Sequence, residues 1–339
     1  MIMNKLFHTS MALFGCFILV AGNCFSQDFH FSQFWMTPLL QNPALSGSGQ
    51  QLQAIVNHKT QWGSITSPYK TNNLSCDMYL NKEKNKKGFW AGGINVLSDK
   101  AGDGNMATTT GNLAIAYHVH VDARHTIGGG LTGGFVQRSI DYSTLQWMNQ
   151  YNGINYNPSL STGEPNGSKS VIFGDCGAGI LWSFSKAEKY ITGNDQIKAK
   201  IGLALFHPQQ SNYSFYKFSE KLYMKKVIHA SLLYGIKNTK YALVPKLLYY
   251  RQGPAQELFF GSLIRYTIHE ASKYTGIIKE SSVSMGMYFR NRDAVVPTVL
   301  LEFSQYTIGF SYDVNISRLR TASSYRGGFE ISLCFIHSD

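Results

Sequence analysis

From Leu113 the chain changes character residue by residue. Leu113, Ile115, Tyr117, Val119 and Val121 alternate with Asn112, Ala114, Ala116, His118, His120 and Asp122. A period of two puts these sets on opposite faces of an extended strand, because successive side chains point to opposite sides. The pattern returns near the C-terminus. There Tyr306, Ile308, Phe310, Tyr312, Val314 and Ile316 alternate with Gln305, Thr307, Gly309, Ser311, Asp313 and Asn315. It recurs as Tyr325, Phe329, Ile331, Leu333 and Phe335 against Arg326, Gly328, Glu330 and Ser332. One apolar and one small or polar face, sustained over about ten residues, is the pattern of a membrane-barrel strand. A soluble sandwich has the same period in shorter strands.

The N-terminus reads as a signal peptide over 1–26. Lys5 supplies the positive region, Leu6 to Ala21 is mostly apolar, and Ser26 precedes the expected cut at Gln27. Lipoprotein processing at Cys24 is the weaker alternative, since Asn23 is a poor residue before a lipidated cysteine. No later stretch approaches the roughly 20 apolar residues of a membrane helix. The expected product is exported, and a membrane crossing requires a closed barrel, the other structure that satisfies its backbone in lipid.

Composition agrees. Gly is 32, Tyr 20 and Phe 21, against Pro 9 and 15% charged residues, which suits many alternating strands rather than a helical protein. Cys76, Cys176 and Cys334 remain after the leader, an odd number without CxxC spacing; one disulfide is conceivable, a disulfide framework is not. The net charge of +11 suggests, in an exported chain, contact with anionic lipid, glycan or a protein rather than nucleic acid.

About fourteen segments carry the alternation, near 51–61, 69–80, 88–98, 106–121, 124–138, 168–184, 196–206, 225–236, 241–252, 257–267, 281–289, 297–303, 306–315 and 325–335. Bacterial barrels have short periplasmic turns and longer outer loops. With both termini periplasmic, Asp122-Ala123, Lys237 to Lys240 and Ser304-Gln305 fall on the periplasmic side, and the long connections 139–167 and 207–224 outside. The connections 185–195 and 268–280 fit this less cleanly. Lys82, Lys84, Lys86, Lys87, Lys186, Lys189, Lys237, Lys240, Lys273 and Lys279 then gather on the periplasmic side. They read either as a solvated rim or as a collar for an acidic partner or peptidoglycan.

Catalytic, cofactor and metal constellations are not legible. His118 and His120 share an inner face beside Asp122, but nothing completes a zinc set. There is no GxSxG. Gly128-Gly129-Gly130 and Gly133-Gly134 lie in a strand pattern, where glycine marks curvature or close packing rather than a phosphate loop. Ser98 to Gly104, SDKAGDG, reads as an outer loop without EF-hand spacing.

The most particular segment is Gln27 to Gly47, QDFHFSQFWMTPLLQNPALSG, with aromatics at Phe29, Phe31, Phe34 and Trp35 and a turn at Asn42-Pro43. It closely resembles the mature N-terminus of the PorP/SprF family, outer-membrane proteins of the type IX secretion system of Bacteroidetes. Further resemblance lies in Gln61-Trp62, Ser67 to Thr71, Asp99, Lys100 and Asp103 within SDKAGDG, Ala116-Tyr117-His118 and Phe135 to Asp141. Tyr288 to Arg290, Asp293-Ala294 and Gly309 to Asp313 continue it, so that it covers nearly the whole mature chain in order. Phe29 departs from it, standing where the family more often has proline.

The resemblance implies an all-β transmembrane barrel of the cell outer membrane, non-enzymatic and without cofactor, that assists type IX secretion. Its implied partners are the periplasmic ring, peptidoglycan-binding lipoproteins and sorting-domain cargo such as gliding adhesins. The expected organisation is a leader at 1–26, an N-terminal periplasmic segment at 27–50 and a barrel at 51–339. A lumen of about fourteen strands needs filling or conducts, since about eight suffice for a packed core. The segment from Gln27 is therefore expected to enter the periplasmic mouth as a plug or docking strand. Phe31, Ser32, Gln33, Pro38, Asn42, Pro43, Gln61, Trp62, Asp99, Lys100 and Asp103 are the expected partner-binding residues. Outer loops such as 142–166 read either as cargo contacts or as variable surface. A porin or solute channel is the alternative function, and a barrel enzyme a third, without nameable catalytic residues.

Overall fold

Alternation of this kind satisfies its backbone by pairing every strand on both sides, and the chain does so in one closed ring. The computed structural model describes residues 28–63, 67–80, 87–164, 167, 169–186, 194–216, 219–269, 280–317 and 320–337. The expected leader at 1–26 and Lys82, Lys84, Lys86, Lys189, Lys273 and Lys279 lie outside them. The strands are β1 (Leu52–Gln61), β2 (Tyr69–Leu80), β3 (Gly88–Ala101), β4 (Met106–His120), β5 (His125–Ser139), β6 (Ser170–Lys186) and β7 (Ile197–Phe206). They continue as β8 (Lys225–Gly235), β9 (Tyr241–Gln252), β10 (Ala255–His269), β11 (Ser281–Arg290), β12 (Ala294–Phe303), β13 (Tyr306–Asn315) and β14 (Arg326–His337). Each pairs antiparallel with its sequence neighbours, and β1 pairs with β14, closing the barrel.

The faces are inverted relative to a water-soluble protein. Val56, Leu74, Ile94, Leu113, Ile115, Leu131 and Ile172 are exposed outward, while Asn57, Thr71, Asn73, Asn95, Ser284, Ser311 and Asp313 are buried inward. Aromatic side chains mark two outer girdles. One holds Trp90, Tyr117, Tyr241, Tyr266 and Tyr306, the other Phe135, Phe260, Phe289 and Phe329. Phe260 and Tyr266 on β10 are about 20 Å apart along the strand, which fits an apolar band of membrane thickness. No described helix is long and apolar enough to cross a membrane.

The start of β1 and the end of β14 lie at one mouth, the terminal mouth; the other is the loop mouth. The two longest connections, 140–169 and 207–224, share the loop mouth. Short turns occur there as well, at Gly253-Pro254 and 291–293, so connection length does not separate the mouths as cleanly as the parity argument expects. Of the lysines expected at one mouth, Lys87, Lys186, Lys237 and Lys240 are described, and all lie at the terminal mouth; Lys186 pairs with Asp195 at 3.1 Å.

Two strands, β3 and β12, exceed the expected bounds by three residues at one end. β3 runs on through Ser98 to Ala101, because Asp99 and Lys100 pair with Thr71 and Lys70 on one side and with Thr108 and Ala107 on the other. Only Gly102 to Asn105 form the turn, which corrects the reading of SDKAGDG as a loop. β12 begins at Ala294 rather than at Pro297. Pro297 keeps register with Met287 of β11, but the pairing with β13 skips Val296 and Pro297, as a residue without an N–H requires. The three described cysteines, Cys76, Cys176 and Cys334, are free.

Candidate functional site: the lumen and its two mouths

Residues 28–51 occupy the lumen. The segment starts at the loop mouth, where the Asp28 backbone N–H donates to Gln252 Oε1 at 3.1 Å. It leaves at the terminal mouth, where Gly47 N–H donates to Asp77 Oδ2 at 2.9 Å and Tyr79 N–H to Gln51 O at 3.1 Å. It thus runs the length of the barrel instead of entering one mouth. Between these ends it makes three short turns, a 3-10 turn at Phe34–Met36, α1 (Pro38–Gln41) and a second 3-10 turn at Pro43–Leu45. Pro38 and Pro43 each open a turn, where their missing N–H costs nothing. Asn42 caps the second, its Oδ1 accepting from Ala44 N–H at 2.9 Å.

Charge holds the first half of the segment. Glu330 accepts from Ser32 N–H at 2.6 Å and Gln33 N–H at 2.9 Å, and Ser32 Oγ donates to Asp313 Oδ1 at 2.6 Å. Lys59 Nζ donates to His30 O at 3.2 Å and Ser32 Oγ at 3.0 Å, and lies 3.4 Å from Asp313. Arg290 Nη2 bonds Asp313 Oδ2 at 2.5 Å, while Nη1 meets His30 Nε2. A guanidinium cannot accept, so His30 Nε2 is the acceptor and Nδ1 faces Glu257 at 3.6 Å. Burial, with Arg290 and Lys59 alongside, holds the His30 ring well below its ordinary range, consistent with that neutral tautomer. Gln33 completes the set, Nε2 donating to Glu330 O at 3.2 Å and Oε1 accepting from Ser332 Oγ at 2.6 Å.

Aromatic packing follows. Phe34 meets Phe259 edge-on at 5.3 Å, and Trp35 lies 4.6 Å from Tyr288. Farther on, Asn42 Nδ2 donates to Ile180 O at 2.9 Å and Leu203 O at 3.2 Å. The wall admits this approach through glycine: a Cβ on Gly130 would stand 2.5 Å from Ala44 N, and one on Gly202 2.6 Å from Asn42 Nδ2. Of the glycines expected to permit close packing, Gly130 faces the segment's backbone turn, Gly128 meets His118 and Gly134 meets Asn112, while Gly129 and Gly133 have open space beside them. His118 also faces inward, its Nε2 2.8 Å from Ser46 O. No described residues form a group of three or more metal-ligating side chains.

At the loop mouth the segment leaves a cavity of about 400 Å³. Gln61, Trp62 and Asp99 line it, together with Asp28, Tyr69 and Arg138. Trp62 adopts a left-handed φ of 54° and its ring meets Tyr69 edge-on at 5.0 Å. Asp99 accepts from Thr71 Oγ1 at 2.6 Å. Arg138 lies over the rings of Tyr213 and Phe215 at 4.8 and 5.4 Å, and no described carboxylate forms an ion pair with it. On one side Asp28 lies 3.0 Å from His207 Nε2 and 3.3 Å from Lys225, while Asp175 takes His207 Nδ1 at 2.7 Å. Burial alone would raise the Asp28 carboxyl, but Lys225 and His207 hold it well below the usual carboxylate range. Burial likewise opposes the protonated His207 ring, yet Asp175 and Asp28 raise it to about 9. With a carboxylate on each nitrogen, this imidazole has no free position from which to act as a base.

The expected site residues thus divide. Phe31, Ser32, Gln33, Asn42 and Pro43 are buried against the barrel's own wall, with Pro38 beginning the turn between them. Gln61, Trp62 and Asp99 meet at the loop-mouth cavity. Lys100 is in β3 near it, and Asp103 is on the adjoining turn, accepting from Ser67 Oγ. Sequence reading missed Lys59 and Glu330. The available signal was a charged residue on the inner face of a strand otherwise built for lipid. Arg290 and Asp313 lay within motifs already singled out, without an assigned role.

The family described as type IX secretion system membrane protein PorP/SprF matches residues 23–335. No curated protein matches the chain. Among solved structures, the Pseudomonas putida toluene transporter TodX is similar at 11% identity and TM-score 0.47, with 91% of this chain and 94% of that one covered. The CymD monoaromatic hydrocarbon channel is similar at 11% identity and TM-score 0.44, covering 90% and 93%. BamA from Haemophilus ducreyi lacking POTRA domains 1–3 is similar at 10% identity and TM-score 0.43, covering 84% and 70%.

Proposed function

This chain belongs to the PorP/SprF family of type IX secretion system membrane proteins, and from that premise we propose that it is a plugged, non-enzymatic outer-membrane accessory that assists delivery or anchoring of particular sorting-domain cargo at the cell surface. One observation carries the choice over a porin: residues 28–51 thread the lumen from mouth to mouth and are bonded to the wall along the way. A solute channel needs an open, wetted path. Here the lumen is filled, and the exposed recognition surface is the loop-mouth cavity with its aromatic and arginine lining. Arg138, stacked and with no ion pair to a described carboxylate, suits a planar anionic group on a protein partner. The terminal mouth is the face for the periplasmic ring and peptidoglycan-binding lipoproteins.

The test is to delete the gene and compare surface proteins with those held in the periplasm. Loss of one or a few sorting-domain proteins from the surface is the expected result, reproduced by Arg138→Ala with normal barrel levels. An unchanged surface proteome with altered uptake of small solutes would assign the chain to the channels instead.

A further inference from the structure

Lys59, Arg290 and Lys225 in the lumen each face a carboxylate. Lys246 does not. It projects inward from β9, half-buried, and among the described residues no carboxylate forms an ion pair with it. Its ammonium sits 4.2 Å from the centre of the Trp35 ring, on the luminal segment. Glu302, the acid nearest in effect, is already taken: its Oε2 lies 2.8 Å from Arg265 Nε and accepts from Ser282 Oγ.

Lys246 and Trp35 line a second cavity, of about 210 Å³, between the luminal segment and β7–β9. Lys200, Ser48, Ser231 and Gln53 share it, and among the described residues no aspartate or glutamate does. Lys200 Nζ donates to Ser48 Oγ at 2.9 Å, so a second ammonium is fixed on this wall. The indole N–H of Trp35 is buried and has no acceptor among the described residues. Two lysines, the ring of Trp35 and a serine hydroxyl therefore line one small space that has no carboxylate among its described lining residues. A lysine such as Lys246, half-buried with no described carboxylate paired to it, is stabilised by a matching anion, and a buried N–H donor such as that of Trp35 gains from an acceptor.

We infer that this cavity is an oxyanion site, taking the phosphate or carboxylate group of a small molecule that enters from the terminal mouth. Lysine suits the role as a compact point charge that attracts a multi-oxygen anion without demanding planar geometry. The site is independent of the loop-mouth cavity and of any cargo role, since it lies on the other side of the luminal segment.

The experiment uses the full mature chain in a non-ionic detergent. Melting temperature is followed while sodium phosphate, and separately sodium acetate, is titrated against sodium chloride at equal ionic strength. A saturable rise with either oxyanion beyond that with chloride is the expected result; response to both marks a carboxylate-competent site, response to phosphate alone a phosphate site. In Lys246→Met the apparent affinity falls about tenfold, as loss of one charge-assisted contact predicts, while Lys246→Arg retains it. No rise beyond chloride in the wild type, or a rise undiminished in Lys246→Met, would overturn the assignment.

Discussion

The luminal segment meets two unlike walls. Toward β10–β14, and Lys59 of β1, it is held by Glu330, Asp313 and Arg290 and packed through Phe34 on Phe259 and Tyr288. Toward β2–β4, and Asn57 of β1, the wall is a belt of amides. Asn57 stands opposite Asn73, and Asn95 opposite Ser75. All are buried, yet among the described residues neither amide atom of Asn57, Asn73 or Asn95 has a hydrogen-bond partner, nor does Ser75 Oγ or Thr110 Oγ1. An ion cluster with its bonds made is costly to break, because each charge left behind is stranded. A belt of unpaired amides gains when the segment moves away and water reaches it. One flank therefore anchors the segment through paired charges, while the other holds it through the hydrogen bonds at Ser46, Gly47 and Gln51 beside amides that gain nothing from its presence.

The largest expected effect breaks the anchored flank. Lys59→Met leaves Glu330 with no cation among the described residues and Asp313 with Arg290 alone, and should destabilise the seated segment by about 3–5 kcal/mol. Loss of hydrogen-exchange protection at Ser32 and Gln33, together with new single-channel conductance in planar bilayers, would record it. A change no larger than that of an amide-belt variant would erase the contrast.

Phe34→Ala removes the aromatic half of the same anchor, at a cost of about 3 kcal/mol. Protease cleavage within 28–51 should appear while the strands stay intact; cleavage equal to wild type would place the anchor in the charges alone.

Protonation gives a smaller, graded effect at the loop mouth. His207 is raised to about 9 by Asp175 and Asp28 against the opposing effect of burial, so its folded value exceeds its unfolded value. The contribution to docking Asp28 is then complete below about pH 6.5 and is lost as pH rises through about 9. Protection factors at Asp28 and Phe29 should fall across that window in the wild type. In His207→Gln the step should be absent, and a step that persisted there would have another origin.

The smallest effect sharpens the comparison from the other flank. Asn73→Leu replaces an unpaired buried amide with a side chain of similar size, and should change stability by less than about 1 kcal/mol or raise it. A loss as large as that of Lys59→Met, measured by the same denaturant midpoint, would mean that the belt bears load.

Strand number and facing were readable because lipid and lumen impose a period of two that no distant residue alters. β4 and β13 carry their whole inner and outer sets in the order of the letters. Where two requirements met, the ends slipped: Asp99 and Lys100 look like loop residues until Thr71 and Thr108 are seen beside them. Pro297 reads as the start of a strand until three residues before it are found in register with β11. The candidate site was legible as a set of particular residues and not as an arrangement. Trp62 and Asp99 share a cavity, and Arg138, between two rings of the 207–224 loop, carries no local mark of its place there.

By itself the sequence determined that this chain pairs about fourteen strands into a lipid-facing barrel, because alternation is a local property that hydrophobic burial reads one residue at a time. Only the tertiary structure decided what fills the barrel. The segment from Asp28 to Gln51 has no period, and its partners lie far along the chain: Ser32 finds Glu330, Gln33 finds Ser332, and Asn42 finds Leu203. Closure of β1 on β14 brings those inner faces around one axis. The charges left on them can be satisfied only by what lies inside.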